Sequence, residues 1–223
     1  MPVLLLVFLL PLALLVAAGL ARIWEKRLVW PYAPADESME RTSYMTDAAA
    51  RAQALRFKPI AALCAAKGGV YRIRYELWLS GDGETLLLIG GGRLAAIPVN
   101  GSWLFTRLSN GRCVVTLDEE KGSEPDLTGL VDEDVRQGAS LEALLTEHGR
   151  RVAAARVPPL PYSERDALAE HRDFMKGRIE VLVTTGYARY ADPMQSAWTY
   201  TPRGALLSTW RGYWGGLRRA FRW

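Results

Sequence analysis

With 223 residues the chain can bury a sizeable core, and 49% apolar against 23% charged residues excludes wholesale disorder. Two cysteines, Cys64 and Cys113, in no C-x-x-C pattern exclude a disulfide scaffold and a thiolate zinc site, leaving buried thiols or at most one bridge. The net charge of +4 sits at one end: five arginines and no acid follow Asp192, so residues 1–192 carry −1.

Residues 1–21 hold no charged side chain and are rich in leucine. About 20 helical residues cross a hydrocarbon layer of ~30 Å. The run therefore predicts a transmembrane anchor over residues 1–22. Arg22, Trp24, Lys26, Arg27 and Trp30 follow at once, as membrane-interface residues in a cationic and aromatic belt. The small cluster Ala17-Ala18-Gly19 would suit a cleaved secretory signal, but no Lys or Arg precedes the run to supply a basic leader. Cations on the C-terminal side predict a single-pass protein with its body in the cytoplasm.

Residues 23–45, with Trp30-Pro31-Tyr32-Ala33-Pro34, read as a juxtamembrane linker, and residues 46–202 as a soluble α+β domain. A helix is predicted from Thr46 to Leu55, with Thr46 or Ser43 as its cap. Then the period changes to two. Tyr71, Ile73, Tyr75, Leu77 and Leu79 share one face and Arg72, Arg74 and Glu76 the other, the pattern of a half-buried strand. Strands are predicted near 59–65, 70–79, 84–89, 93–99, 102–108 and 112–118. Gly68-Gly69, Gly81-Asp82-Gly83, Asn100-Gly101 and Asn110-Gly111 serve as turns between them. Such short connections leave no room for helical crossovers, so the sheet is an antiparallel meander of about six strands.

An acidic loop over 118–134 leads back to helices, one from Ser140 to about Arg156 and one from Ser163 to a C-cap at Gly186. Residues 187–191 and 197–201 can pair as a hairpin across Asp192-Pro193. The fold class that results is α+β: an N-terminal transmembrane helix, then the meander with helices packed on one face. Residues 203–223 form a basic, aromatic, amphipathic tail. Its interface set is Trp210, Arg211, Trp214, Arg218, Arg219, Phe221 and Arg222, and three glycines count against a stable helix there.

Little in the chain carries chemistry. His148 and His171 lie on predicted helices outside any H-E-x-x-H, and no G-x-S-x-G elbow occurs. Gly90-Gly91-Gly92 lacks the helix start and Lys-Ser/Thr of a phosphate loop and reads as a turn or bulge. The acids of 118–134 lack the EF-hand pattern. No catalytic residue, cofactor or metal is therefore assigned. Arg72, Arg74, Trp78, Trp103 and Arg107 on strands can stack bases, though cross-strand packing explains them as well.

The string from the helix 163–185 through Gly186-Tyr187 to Trp198–Ala205 resembles the end of a winged-helix module, with Tyr200, Thr201 and Gly204 at the matching close. DNA binding is what that likeness implies. More broadly, residues 55–207 resemble an uncharacterised family of bacterial membrane-associated proteins. The likeness rests on Tyr71–Ser80, Trp103–Leu108 with Gly111, and Thr116–Asp118. That family has no established activity, so no functional residue transfers from it. The expectation is a membrane-tethered, non-enzymatic domain that binds lipid or an unidentified protein at the membrane surface. An enzyme with an unrecognised site and a nucleic-acid binder are the alternatives, nucleic acid being the less favoured partner.

Overall fold

A computed structural model of the chain describes residues 17, 21–23, 25–28, 32–35, 39–67, 71–94, 97–118 and 126–220. It divides the chain into two compact units. The larger takes residues 31–123 and 129–173, and the smaller takes 1–30, 124–128 and 174–223.

The larger unit is built on a seven-stranded sheet, in the order β2 (Ala33–Pro34), β3 (Lys58–Lys67), β4 (Tyr71–Leu79), β5 (Leu86–Leu94), β6 (Ile97–Arg107), β7 (Cys113–Asp118), β8 (Val131–Val135). Strands β2 to β7 pair antiparallel. The last, β8, is parallel to β7 and pairs Thr116 with Asp134. The segment that reads as a solvated acidic loop thus ends in an edge strand. Two of its acids are ion-paired there, Asp132 to Arg151 at 2.7 Å and Asp134 to Arg136 at 2.5 Å.

Two helices cover one face of this sheet, α1 (Ser43–Ala54) and α2 (Leu141–Ala154). Thr42 caps α1 by accepting from the Met45 N–H at 3.2 Å, one position before Ser43 and four before Thr46, the predicted caps, and Ser140 caps α2 in the same way. Trp78, Leu87 and Leu104 stand side by side across β4, β5 and β6. They pack with Met45, Ala48, Ala52, Leu141 and Leu144 as the core. On the alternate face, Phe105 meets His171 edge-on at 4.8 Å and Arg107 pairs with Glu170. Glu170 and His171 belong to the first turns of α3 (Ala167–Thr184), so helices lie on both faces and not on one. Covering both faces makes β4 a central strand: Glu76 and Trp78 are as buried as Leu77 and Leu79.

The glycine triplet is not a turn. It lies within β5, and Asn100-Gly101 within β6, opposite Gly91 and Gly90. A methyl group on Gly90 would meet the rings of Tyr75 and Trp103 at 2.8 and 2.9 Å. One on Gly91 would meet Thr42 Oγ1 at 2.5 Å and Met45 Cγ at 2.7 Å. The triplet therefore clears space for two aromatic rings on one side and for α1 on the other.

The smaller unit holds the rest of α3, a three-stranded sheet in the order β1 (Arg27–Leu28), β10 (Ala197–Tyr200), β9 (Ala188–Tyr190), and a last helix α4 (Pro202–Ala220). Left-handed Gly186 (φ 74°) closes α3, with the Tyr187 N–H donating back to the Leu182 carbonyl at 2.8 Å. The β9–β10 hairpin is where the sequence places it. It is not a projecting wing, because β1 pairs along the outer side of β10.

The transmembrane expectation is corrected. Among the described residues no helix is long and apolar enough to cross a membrane. The two longest, α3 and α4, carry charges along their length. The predicted anchor over 1–22 lies, apart from residues 17, 21 and 22, outside the described residues. The single-pass membrane localisation falls with it, as does the fold class that began with a membrane-spanning helix. What stands is an α+β chain with a mostly antiparallel sheet.

Candidate functional site

The tail is a helix despite its glycines. Thr201 caps it, accepting the Gly204 N–H at 3.2 Å, and Pro202 occupies the first helical position, where its missing N–H costs nothing. Thr201 also donates to the Gly186 carbonyl at 2.7 Å, and Gly204 lies hard against the Tyr187 backbone, where a side chain would collide. The Thr-Pro pair was the available sequence signal for this start; the wing-like reading of Tyr200-Thr201 passed over it.

The inward face of α4 is small and partly polar: Gly204, Ala205, Ser208 and Thr209 are buried. Ser208 accepts from Arg22 Nη1 at 2.5 Å, and Ala205 joins Leu182, Trp198 and Tyr200 in the unit's core. Leu207 packs against that core as well, and three other large apolar side chains point the other way. Leu206, Trp210 and Tyr213 are 70%, 51% and 41% exposed, at i, i+4 and i+7, which is a single stripe on a helix. Cations flank it. Arg203 covers the Tyr187 ring at 4.9 Å, and Arg211 donates to the Asp126 carbonyl at 3.0 Å.

The other predicted interface residues divide. Arg22 and Arg27 are half-buried. Arg27 lies over the rings of Trp198 and Tyr200 at 5.4 and 5.2 Å and pairs with Glu25, while Lys26 is exposed. Arg22 and the tail, 186 residues apart, are thus brought together through Ser208. Trp24, Trp30, Phe221 and Arg222 lie outside the described residues. Trp214, Arg218 and Arg219 fall within the span of α4.

In the larger unit, the polar interior is a chain of side chains under α2. His148 is 2% exposed, with Nε2 at 2.9 Å from Thr106 Oγ1 and Nδ1 at 3.0 Å from Thr116 Oγ1. Thr106 continues to Thr85 at 2.9 Å. Arg151, an obligate donor, reaches Thr116 at 3.0 Å and Asp132 at 2.7 Å. A run of donors from Arg151 through Thr116 to a His148 protonated on Nε2 satisfies every member. Burial, then the nearby Arg151 charge, lowers the His148 pKa to about 4, so the ring is neutral at pH 7. Thr85, Thr106 and His148 form the floor of a cleft of about 870 Å³, whose rim mixes Arg56 and Lys58 with Asp82 and Glu84. A neutral imidazole with both nitrogens engaged serves as a satisfied core group there. His171 is likewise buried, edge-on to Phe105. Among the described residues no group of His, Cys, Asp and Glu could hold a metal ion.

No family model matches the chain, and no curated protein or solved structure is significantly similar to it.

Proposed function

We propose that α4 is an interfacial helix by which the chain binds peripherally to an anionic lipid surface. The observation that carries this reading is the inverted burial of α4. Small and hydroxyl side chains together with Leu207 face the unit's core, and Leu206, Trp210 and Tyr213 face outward. Of seven large apolar side chains exposed among the described residues, five belong to the smaller unit, so the apolar surface is concentrated and not scattered. Burial against lipid gains about 25 cal/mol per Å² of such surface. Tryptophan and tyrosine suit the headgroup layer, with an apolar body and a polar edge. No acid lies on α4, while Arg203, Arg211, Arg218 and Arg219 do, each worth up to about 1 kcal/mol near anionic headgroups.

The experiment is vesicle flotation of the full chain against a variant carrying Leu206→Ser, Trp210→Ser and Tyr213→Ser. The wild type is expected to float more completely as the anionic fraction rises, and the variant to lose that dependence. Equal dependence in both proteins would sink the reading.

A further inference from the structure

Where the C-terminal end of α2 meets β7 and β8, a recess of about 360 Å³ is lined by Arg112, Arg150, Arg151, Cys113 and Asp132, among others. That volume is at the lower end of small-molecule sites, which run from about 300 to 1,000 Å³. Its charge is unbalanced. Arg151 answers Asp132 at 2.7 Å, and Arg150 answers Glu147 at 2.6 Å. Arg112 is exposed, and its guanidinium has no ion pair among the described residues; its backbone N–H donates to Asn110 Oδ1 and its carbonyl accepts from the Leu108 N–H.

We infer that this recess binds a small oxyanion of the phosphate class, free or as a phosphomonoester, through the guanidiniums of Arg112, Arg150 and Arg151. A planar guanidinium offers paired donors matched to phosphate oxygens, which an isolated ammonium does not. Arg151 is fixed in place from behind: it is buried, and Thr116, the Val115 carbonyl and Asp132 hold its Nη atoms. Arg112, at the entry of β7, and Arg150, on α2, approach from separate elements. The carbonyl end of α2 opposes an anion, and with Arg151 answered by Asp132 and Arg150 by Glu147 the surplus positive charge that offsets it is that of Arg112. Pinning β8 to α2 accounts for Arg151 and Asp132 alone. It gives no part to Arg112, and Arg150 is held on its own helix by Glu147, which accepts from Nε and Nη2 at 2.9 and 2.6 Å, so Arg112 is the residue that makes the site testable.

The test is isothermal titration of the full chain with inorganic phosphate, alongside Arg112→Gln and Arg150→Gln, both surface positions. Saturable binding is expected, competed by sulfate and weakened about five-fold or more by each substitution, with thermal midpoints unchanged. Vesicles bearing a phosphomonoester headgroup run as a second arm, and Arg112-dependent binding in either arm supports the site and tells a lipid from a soluble source. Absence of saturable binding in both arms overturns the inference, as does binding unaffected by both substitutions. The α4 serine variant should bind phosphate like the wild type, so failure here and failure of the lipid reading are separable.

Discussion

Glu76 is a charged side chain on a strand whose period-two pattern places it in water, yet it is buried at the sheet centre. Its two oxygens accept from Arg41 Nε and Nη2 at 2.7 and 2.8 Å, and Arg74 adds a third donor at 3.3 Å. The clamp fastens the lead-in to α1 onto the sheet. Removing one partner of a fully buried pair costs about 3–5 kcal/mol. Because Arg41 is itself 44% exposed, Arg41→Ala should cost less, about 2 kcal/mol, read as a lowered urea midpoint. His148 sets a pH dependence of definite sign. Its pKa falls from 6.5 to about 4 on folding, so the unfolded chain takes up a proton first as pH drops. The associated stability is complete above pH 6.5 and is lost between 6.5 and about 4, to a total of about 3 kcal/mol. His148→Gln should flatten the midpoint-against-pH curve across that window; parallel curves would count against the buried-neutral assignment. Two helices end on arginines in the left-handed region, Arg56 at φ 65° and Arg156 at φ 54°. Glycine lacks the Cβ clash there, so Arg56→Gly and Arg156→Gly should each raise the midpoint, by about 1 kcal/mol.

Elements were legible where one signal acted alone. The alternation over 71–79 marks β4, Ser140 marks the start of α2, and Gly186 the end of α3, because a strand period, a cap oxygen and a left-handed glycine are local requirements. Asn110-Gly111 is a real turn, with Gly111 at φ 79°. The same dipeptide at Asn100-Gly101 is mid-strand. There glycine answers to neighbours distant in sequence, the Trp103 ring at 2.9 Å and the Asp118 carbonyl at 2.8 Å, and no local pattern encodes them. Strand β8 was hidden because Asp132, Glu133 and Asp134 look solvated, and only its partner β7 makes it a strand. For the candidate site, the basic aromatic pattern of the tail was readable. Which face turns outward was not, since it depends on the Tyr187 backbone pressing against Gly204. The same logic predicts that Gly91→Val lifts α1 off β5, at a cost of about 1–3 kcal/mol in chemical denaturation, because Thr42 and Met45 occupy the space.

Across the whole molecule, charge and exposed apolar surface collect at the same end of the sequence. Residues 1–192 carry −1 and the remainder +5, and α4 bears four of those five arginines and the outward stripe. An acidic partner surface is what such a helix complements, and a lipid layer also takes up the rings. The most direct measurement attaches an environment-sensitive probe at position 206 through Leu206→Cys in the full chain, with a matched probe at Leu160 in the larger unit. Both are added to anionic vesicles containing brominated lipid. The probe at 206 should shift to the blue and be quenched, with quenching weakened by added salt, while the probe at 160 stays unchanged. An unquenched probe at 206 on vesicles to which the protein is bound would show that α4 does not enter lipid, and would contradict the account.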